Sequence, residues 1–408
     1  MGSYCALKFD ETDILSFKSR VPEALIALFQ ESDRQDIVDS RDPDEVRHII
    51  SYSTSRVEML ERLDVMGASS AAAGRAYEEW RATELRSLRE YAMDDVEWET
   101  TAAALDALTY VAWADRVPTA LADRYKVDRE AARDEIEERM LDHDDSWLFF
   151  QQDDPHLLIR ALLDACPNVE RIALDIDDLI GGGYLEQDVR LCEDARAEGI
   201  LVRPLLEPTI ILAEGSSDIR FLRQALSAMF PHLVDYFGFF EHGELKVDGG
   251  VGYLVKFLKA FAAARISTRM VALFDNDSVG SEAFRSAVAL SLPPNISVLR
   301  LPEIELAKSY PSIGPQGLYM VDVNGRAAGI EMYLGRHNLL SDEGTLSPVL
   351  WRGYSEKTKD WQGELRDKRA IQQKFDADIR SARTPDEVRQ AFPELAAIWL
   401  QIFATLRA

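Results

Sequence analysis

Two short acidic sequences stand out because their side chains can bind a metal ion. The first is Glu214-Gly-Ser-Ser-Asp218, and the second is Asp275-Asn-Asp277, which is followed by Gly280. Each follows a short apolar run and precedes a helix-like stretch, so both lie where a predicted strand ends. Ligands of open α/β sheets gather beyond the carboxyl ends of the strands. We therefore predict that Glu214, Asp275 and Asp277 converge in one crevice.

The chemistry of such a crevice points to a divalent cation. Neighbouring carboxylates repel one another and raise one another's pKa, and a cation removes that cost. Ligand sets of carboxylate oxygen and water suit Mg²⁺ or Mn²⁺. Asp218 stands in the first turn of its predicted helix, where an acid serves either as a metal ligand or as a helix cap. Both readings of Asp218 remain open at this point.

The elements that must position these residues follow from the pattern of apolar residues. Short apolar runs at 209–213, 236–240, 270–274 and 296–301 alternate with amphipathic stretches, which predicts a parallel β-sheet flanked by helices. Residues 1 to about 200 carry apolar side chains mostly at helical spacing, which predicts a mainly α-helical N-terminal domain. The last part of the chain has mixed and then helical character.

The charge balance limits the kind of nucleic-acid protein this chain can be. It has 408 residues and a net charge of −25, from 71 acidic and 46 basic residues, so a wholly basic nucleic-acid coat protein is excluded. A catalytic site for nucleic acid then needs a metal, a partner or a local basic surface. Residues 351–380 are locally rich in basic side chains and fit either a nucleic-acid-binding strip or a solvated helix. The candidate binding residues there are Lys357, Lys359, Arg366, Lys368 and Lys374.

Cysteine usage and hydropathy predict a cytoplasmic protein. The three cysteines are scattered and form no Cys-x-x-Cys pair, which is typical of reduced thiols. The N-terminus lacks the apolar core of a signal peptide. No apolar run approaches the about 18 residues that a membrane span needs. The P-loop pattern is also missing, so we expect no ATPase activity from this sequence.

At the acidic motifs the chain resembles a known module. Residues 207–302 resemble a Toprim domain, which topoisomerases, bacterial primases and OLD-family nucleases share. The resemblance implies that Glu214 acts in acid–base chemistry or metal binding, and that Asp275 and Asp277 hold Mg²⁺. The downstream sequence Ile330-Glu-Met-Tyr-Leu334 resembles a segment of Toprim nucleases whose Glu completes the acidic site. Residues 361–368 resemble a further stretch of these nucleases, in which a Lys neutralises phosphate charge.

With its helical first half, the chain is similar to the bacterial HEPN/Toprim proteins. The implied layout is an N-terminal helical HEPN-like domain at 1–203, a Toprim α/β domain at 204–340 and a basic, mixed-to-helical extension at 341–408. The implied activity is nucleic-acid hydrolysis with Mg²⁺ or Mn²⁺, as two ions, in anti-phage defence. The expected metal ligands are Glu214, Asp218, Asp275, Asp277 and Glu331, and the expected catalytic residues are Glu214, Asp275, Asp277 and Lys368.

The resemblance also implies partners. We expect nucleic acid, with DNA favoured over RNA, and no membrane. We expect a homo-oligomer that forms through the helical domain, and a possible partner protein of the same defence system. Topoisomerase and primase functions are disfavoured, because the chain carries neither a large clamp with a nucleophilic tyrosine nor a zinc module.

Two alternative functions and three minor candidate sites remain. One alternative is a nucleic-acid sensor or scaffold that does not cleave. The other is a HEPN-type ribonuclease, for which Arg41 and His48 would have to share one helix face, although residues 42–45 also fit an ordinary capped helix start. A second Asp-x-Asp pair at 175–177 is expected to be a polar loop. His242 and His337 are expected to be packing or surface residues.

Overall fold

The structure is a computed structural model of the chain. It describes residues 2–39, 47–91, 96–124, 134–141, 146–150, 155–199, 207–240, 251–356, 359–381 and 384–407. The chain divides into two compact units, Met1–Leu206 and Glu207–Leu406. The extension predicted from residue 341 packs within the second unit, together with the predicted Toprim domain.

The first unit contains an antiparallel sheet. Its strands are β1 (Tyr4–Phe9), β2 (Thr12–Lys18), β3 (Arg34–Asp39), β4 (Arg47–Ser55) and β5 (Arg171–Asp175). They pair in the order β2-β1-β5-β4-β3, and every neighbouring pair is antiparallel. In β1 the buried residues Cys5, Leu7 and Phe9 alternate with more exposed ones, which is the pattern of a strand with one covered face.

The helices of the first unit pack around a cluster of aromatic side chains. Tyr77, Trp113 and Phe150 are all buried, and the ring centroids of Tyr77 and Trp113 are 5.3 Å apart. The helices are α1 (Glu23–Ile26), α2 (Arg56–Val65), α3 (Ser70–Tyr91), α4 (Val96–Ala107), α5 (Tyr110–Asp123), α6 (Glu135–Leu141), α7 (Pro155–Ala165), α8 (Asp177–Gly181) and α9 (Leu191–Gly199). A 3-10 turn spans Glu31–Asp33.

The first unit corrects two expectations. The sequence predicted a mainly α-helical domain over 1–203 and no sheet, and the structure adds a five-stranded antiparallel sheet to the helices. The helical pairing of Arg41 with His48 was wrong, because His48 lies in β4 and a strand cannot present it on a helix face. Arg41 and residues 42–45 lie outside the described residues.

A four-stranded parallel sheet lies in the second unit. Its strands are β6 (Thr209–Leu212), β7 (Phe237–Phe239), β8 (Met270–Phe274) and β10 (Ile296–Arg300). They pair in the order β10-β8-β6-β7, which confirms the predicted parallel sheet. Every residue of β8 is buried, as expected for a central strand that is covered on both faces.

The remaining strands of the second unit form two smaller sheets. They are β9 (Asn276–Asp277), β11 (Tyr310–Gly314), β12 (Gly317–Val321), β13 (Ala327–Ala328), β14 (Val349–Ser355) and β15 (Asp360–Leu365). One sheet has the order β12-β11-β14-β15, and β13 pairs with β9 in the other. The helices are α10 (Ser216–Met229), α11 (Val251–Ala264), α12 (Ser278–Val288), α13 (Lys368–Ser381), α14 (Pro385–Ala391) and α15 (Pro393–Arg407). Further 3-10 helices span Pro231–Tyr236, Glu305–Ser309 and Ile330–Tyr333.

Apolar side chains from helices and strands form the core of the second unit. Leu254 and Leu258 of α11 pack with Ala283 of α12 against Ala272 and Phe274 of β8. The alternation along the strand directs these β8 side chains to one face. This packing holds the carboxyl end of β8 in place, and the acidic motif at 275–277 begins there.

Candidate metal centre

Glu214 and Asp218 stand at the junction between β6 and α10. Glu214 lies two residues beyond β6, and its Oε1 accepts the backbone N–H of Asp275 at 3.0 Å, which fastens it to the end of β8. Asp218 Oδ2 accepts the backbone N–H of Gly215 at 2.9 Å, so Asp218 caps its own helix. Asp218 is also buried, with 8% of its surface exposed, and the charge of Glu331 acts on it. Asp218 therefore caps its helix and also belongs to the group of neighbouring acids.

The Asp275-Asn276-Asp277 segment connects β8 to α12. Asp277 caps α12, because its Oδ1 accepts the backbone N–H of Gly280 at 2.6 Å. Between the two acids, Asn276 is fully buried and its amide is fully used. Its Nδ2 donates to Asn324 Oδ1 at 3.0 Å and its Oδ1 accepts the backbone N–H of Gly325 at 2.8 Å. Sequence reasoning gave Asn276 no role, although a polar residue between two acids at a buried strand end was a usable signal.

The short pairing of β9 with β13 brings Glu331 to the same region. Ala327 pairs with Asp277, and Gly329 and the 3-10 helix Ile330–Tyr333 follow directly. A Cβ atom on Gly329 would lie 3.3 Å from Glu331 Oε2 and 3.5 Å from Asp275 Oδ2. These two oxygens are therefore less than about 7 Å apart, which a cation can bridge directly or through one water. The glycine leaves the space between them open.

Helix α13 supplies two side chains to Glu331. Lys368 Nζ lies 3.5 Å from Glu331 Oε2, and Gln372 Nε2 donates to Glu331 Oε1 at 3.0 Å. The two residues are four positions apart and so share one helix face. Glu331 is 6% exposed and has both oxygens engaged, which fixes its orientation. Sequence reasoning missed Gln372, although its spacing from Lys368 was visible.

We call Glu214, Asp218, Asp275, Asp277 and Glu331 the acidic cluster. Burial, with the charges of Asp277 and Asp218, raises the pKa of Glu214 to about 8 against the hydrogen bond from Asp275. Burial and the charge of Glu331 raise the pKa of Asp218 to about 6. Burial and the charges of four neighbouring carboxylates raise the pKa of Asp275 well above its ordinary value. Burial is the largest cause of each shift, and repulsion between the acids adds to it.

Two further pKa shifts show where the positive charge acts. Burial raises the pKa of Asp277, while backbone N–H groups and Lys368 oppose the rise. Burial lowers the pKa of Lys368, but the charges of Glu331 and Asp275 outweigh it and raise that pKa overall. Lys368 is therefore a firmly protonated cation beside the acidic cluster.

The donor set fits a hydrated cation rather than a closed cage. Within the described ranges, no three His, Cys, Asp or Glu side chains are arranged as a ready metal-binding group. Glu331 and Asp275 instead offer carboxylate oxygens beside one open space at Gly329. Mg²⁺ typically takes one or two carboxylates and keeps several waters, whereas a structural zinc site needs four protein ligands. The chemistry of these oxygens therefore fits Mg²⁺ or Mn²⁺.

The other predicted binding residues lie in different surroundings. Lys359 and Arg366 are exposed, and Arg366 Nε lies 3.4 Å from Asp367. Lys374 Nζ donates to the carbonyl oxygen of Leu340 at 2.7 Å. Lys357 lies outside the described residues. Of the described members of the predicted strip, Lys368 is the one with a contact to the acidic cluster.

The minor candidates have ordinary structural roles where they are described. Asp175 forms an ion pair with Lys8 at 2.7 Å, and its Oδ1 accepts the backbone N–H of Asp177. The pair at 175–177 thus ends β5 and begins α8. His337 is half exposed and pairs with Asp378 at 3.0 Å. His242 lies outside the described residues.

Comparison with known proteins addresses the first unit. Residues 1–198 match the family model described as HEPN/Toprim N-terminal domain 1. No curated protein and no solved structure matches the chain. Among the helices of the described residues, none is long and apolar enough to cross a membrane. The match over residues 1–198 of 408 supports a HEPN/Toprim family protein.

Proposed function

We propose that this protein is a metal-dependent nuclease that hydrolyses phosphodiester bonds of nucleic acid. The observation that carries the proposal is the acidic cluster, five carboxylates from three chain segments near the carboxyl ends of β6 and β8. Ligand sites of parallel sheets form at such ends. The resemblance of residues 207–302 to a Toprim domain and the match to the HEPN/Toprim family support the same activity.

The cofactor in this proposal is Mg²⁺ or Mn²⁺, as two ions. Asp275 and Asp277 would hold one ion, and Glu214, Asp218 and Glu331 would hold or orient the second. A divalent cation at such a site supplies Lewis-acid stabilisation of phosphate charge and lowers the pKa of a coordinated water. Lys368, which is protonated and 41% exposed, would neutralise one phosphate oxygen of the substrate. Asn276 would hold the two aspartates at a fixed separation through its hydrogen bonds.

The wider role in this proposal follows the family. We place the protein in anti-phage defence, as a cytoplasmic homo-oligomer that forms through its N-terminal unit and works with a possible partner protein. DNA is the favoured substrate over RNA. A substrate panel and the oligomeric state of the purified protein test these extensions separately from the chemistry.

The test of the chemistry is a cleavage panel. Labelled single-stranded and double-stranded DNA and RNA are incubated with the full-length protein in Mg²⁺, in Mn²⁺ or in EDTA. We expect cleavage that EDTA abolishes, and loss of that cleavage in Asp275→Ala and Asp277→Ala. Cleavage that persists in either variant would show that the acidic cluster is not the active site.

The chain contains a matched control for these variants. Asp177→Ala removes the second acid of the other Asp-x-Asp pair, which ends β5 in the first unit. We expect this variant to cleave like the wild type. A nucleic acid that binds the protein but is not cut under any metal condition would support the sensor or scaffold alternative instead.

A further inference from the structure

Four aromatic side chains share one face of the sheet β12-β11-β14-β15. Tyr354 stands opposite Trp361, and their ring centroids are 5.9 Å apart. A Cβ atom on Gly314 would lie 3.2 Å from the hydroxyl oxygen of Tyr319 and 3.4 Å from Cδ1 of Trp351. Tyr319 and Trp351 therefore lie over the same glycine. We call Tyr319, Trp351, Tyr354 and Trp361 the aromatic face.

A β-bulge aligns this row of rings. Trp351 stands opposite Gly363 and Gly353 stands opposite Gln362, so Arg352 is an extra residue on β14. In a regular strand, residues three positions apart point to opposite faces. The bulge lets Trp351 and Tyr354 point to the same face. Gly363 completes the arrangement, because a Cβ atom there would lie 3.0 Å from Trp351.

Three rings of the aromatic face are exposed, whereas Trp351 is partly buried. Tyr354 is 51% exposed, Trp361 46% and Tyr319 40%. In a chain with a net charge of −25, a polyanion that approached this face would meet aromatic rings rather than carboxylates. The nearest acid on β15, Asp360, is paired with Arg326 at 2.9 Å, and exposed Lys359 adjoins it. Exposed Glu356 lies at the same end, so these charges balance and the rings are the main contact surface for a ligand.

The Trp351 end of the aromatic face packs on the strand that pairs with Asp277. The Cβ position of Gly363, beneath Trp351, lies 3.1 Å from Cβ of Ala327. Ala327 is the β13 residue that pairs with Asp277. The Trp351 end of the face is thus separated from the acidic cluster by a single strand pair.

We propose that the aromatic face is a base-stacking platform for single-stranded nucleic acid, which it guides into the acidic cluster. The inference rests on the proposed nuclease function and adds its substrate class. Unpaired bases have free ring faces that stack on exposed aromatic side chains, whereas the bases of a duplex are already stacked on one another. Exposed aromatic rings could also bind a protein partner. The position of the aromatic face beside the acidic cluster favours nucleic acid, the substrate of the proposed nuclease.

The test measures binding without cleavage. Full-length protein in EDTA is titrated into fluorescein-labelled oligothymidylate, oligouridylate or a DNA duplex, and anisotropy is recorded. We expect Trp361→Ala and Tyr354→Ala to weaken single-strand binding by at least about tenfold, the size of one lost stacking contact. Duplex binding should not change. The two single-stranded probes separate DNA from RNA as the source of the bases.

Matched variants separate stacking from structure and from charge. Trp361→Phe keeps an aromatic ring and should retain binding, while Tyr184→Ala removes an exposed tyrosine of the first unit and should have no effect. Trp361→Ala should leave the salt dependence of binding unchanged. Lys359→Gln should reduce the slope of log affinity against log salt, because it removes a cation near the backbone.

The outcomes also separate the platform from the nuclease. Unchanged oligonucleotide binding in Trp361→Ala, equal losses for single strands and duplex, or no single-strand binding by the wild type would overturn the platform. Metal-dependent cleavage lost in Asp275→Ala, with normal binding in Trp361→Ala, would keep the nuclease and reject the platform. Stacking-dependent binding by a protein that cuts no substrate with any metal would reject the nuclease alone.

Discussion

Replacing the carboxyl group of Glu214 with an amide should stabilise the metal-free protein. Burial and neighbouring charges raise the pKa of Glu214 from 4.5 to about 8. At pH 7 this side chain is therefore mostly protonated in the folded protein and ionised in the unfolded chain. The substitution Glu214→Gln removes this difference and keeps an oxygen that can accept the N–H of Asp275.

The size of the effect follows from linkage. For an acid with a raised folded-state pKa, the destabilisation is absent below the unfolded pKa, grows as pH rises from the unfolded to the folded pKa, and is constant above it. Between pH 4.5 and pH 7 the cost is about 1.4 kcal/mol per pH unit, or about 3 kcal/mol in total. Changes in the protonation of the neighbouring carboxylates reduce this destabilisation. We expect Glu214→Gln to gain about 1 to 3 kcal/mol at pH 7 and nothing at pH 4.

The measurement is amide hydrogen exchange of Met270–Phe274 in EDTA. This strand is buried, so its amides report the free energy of opening the second unit. Exchange in Glu214→Gln should slow by about tenfold to a hundredfold at pH 7. Adding Mg²⁺ should then protect the wild type more than the variant, because the cation offsets the charge that the variant lacks.

Glu343→Gln is the matched control. Glu343 is exposed, so its neutralisation should not change exchange in the strand. If Glu214→Gln in EDTA at pH 7 is no more stable than the wild type, the acidic cluster is not under electrostatic strain and the reasoning fails. A gain that persists undiminished at pH 4 would also refute it, since ionisation could not then be the cause.

Three further outcomes test other parts of the site. Glu331→Gln should raise the Mg²⁺ concentration needed for half-maximal cleavage, because one anionic oxygen is lost; an unchanged requirement would remove Glu331 from the metal ligands. Gly280→Ala should destabilise the fold in thermal melts, because its Cβ would lie 2.4 Å from the backbone oxygen of Asp275, whereas Gly252→Ala enters open space and should not. His48→Ala should leave cleavage of every substrate intact, because His48 lies on a strand; selective loss of RNA cleavage would reveal a HEPN-type site.

The parallel sheet could be predicted because its signal is local. β8 is a run of five apolar residues that are all buried, and helices α10, α11 and α12 follow β6, β7 and β8. Chain connectivity then requires the strands to be parallel. The strand ends, and with them Glu214, Asp275 and Asp277, could be located for the same reason.

The antiparallel sheet of the first unit was missed although β1 pairs with β2 and β3 with β4, which are neighbours in the chain; only the pairings with β5 are not local. Leu7 of β1 pairs with Leu174 of β5, and the intervening chain is largely helical. The alternation of Cys5, Leu7 and Phe9 was a valid strand signal, but it is short. Apolar residues at helical spacing elsewhere in the first 200 residues outweighed it. A short alternating segment identifies a strand only when its partner is known.

The supporting residues of the site could not be derived from the motifs. Asn276 and Gln372 act through hydrogen bonds to segments that lie far along the chain. Asn276 and Glu331, the partner of Gln372, come close together because β9 pairs with β13. Each of these strands has only two residues. A ladder of that length leaves no periodicity in the sequence, so its existence and register appear only in three dimensions.

The residues of the acidic cluster and the residues that contact it are synthesised at different times. The acidic cluster draws on residues from Glu214 to Glu331, and its lysine and glutamine come from α13, close to the end of the chain. During translation, the strands β6 to β10 leave the ribosome before Glu331 and Lys368 are made, and domains fold as their segments emerge. A nascent chain therefore carries an incomplete centre, and under the proposed function it cannot cut nucleic acid near the ribosome. Under the proposed function, activity would begin only after α13 has been made and has packed against Glu331.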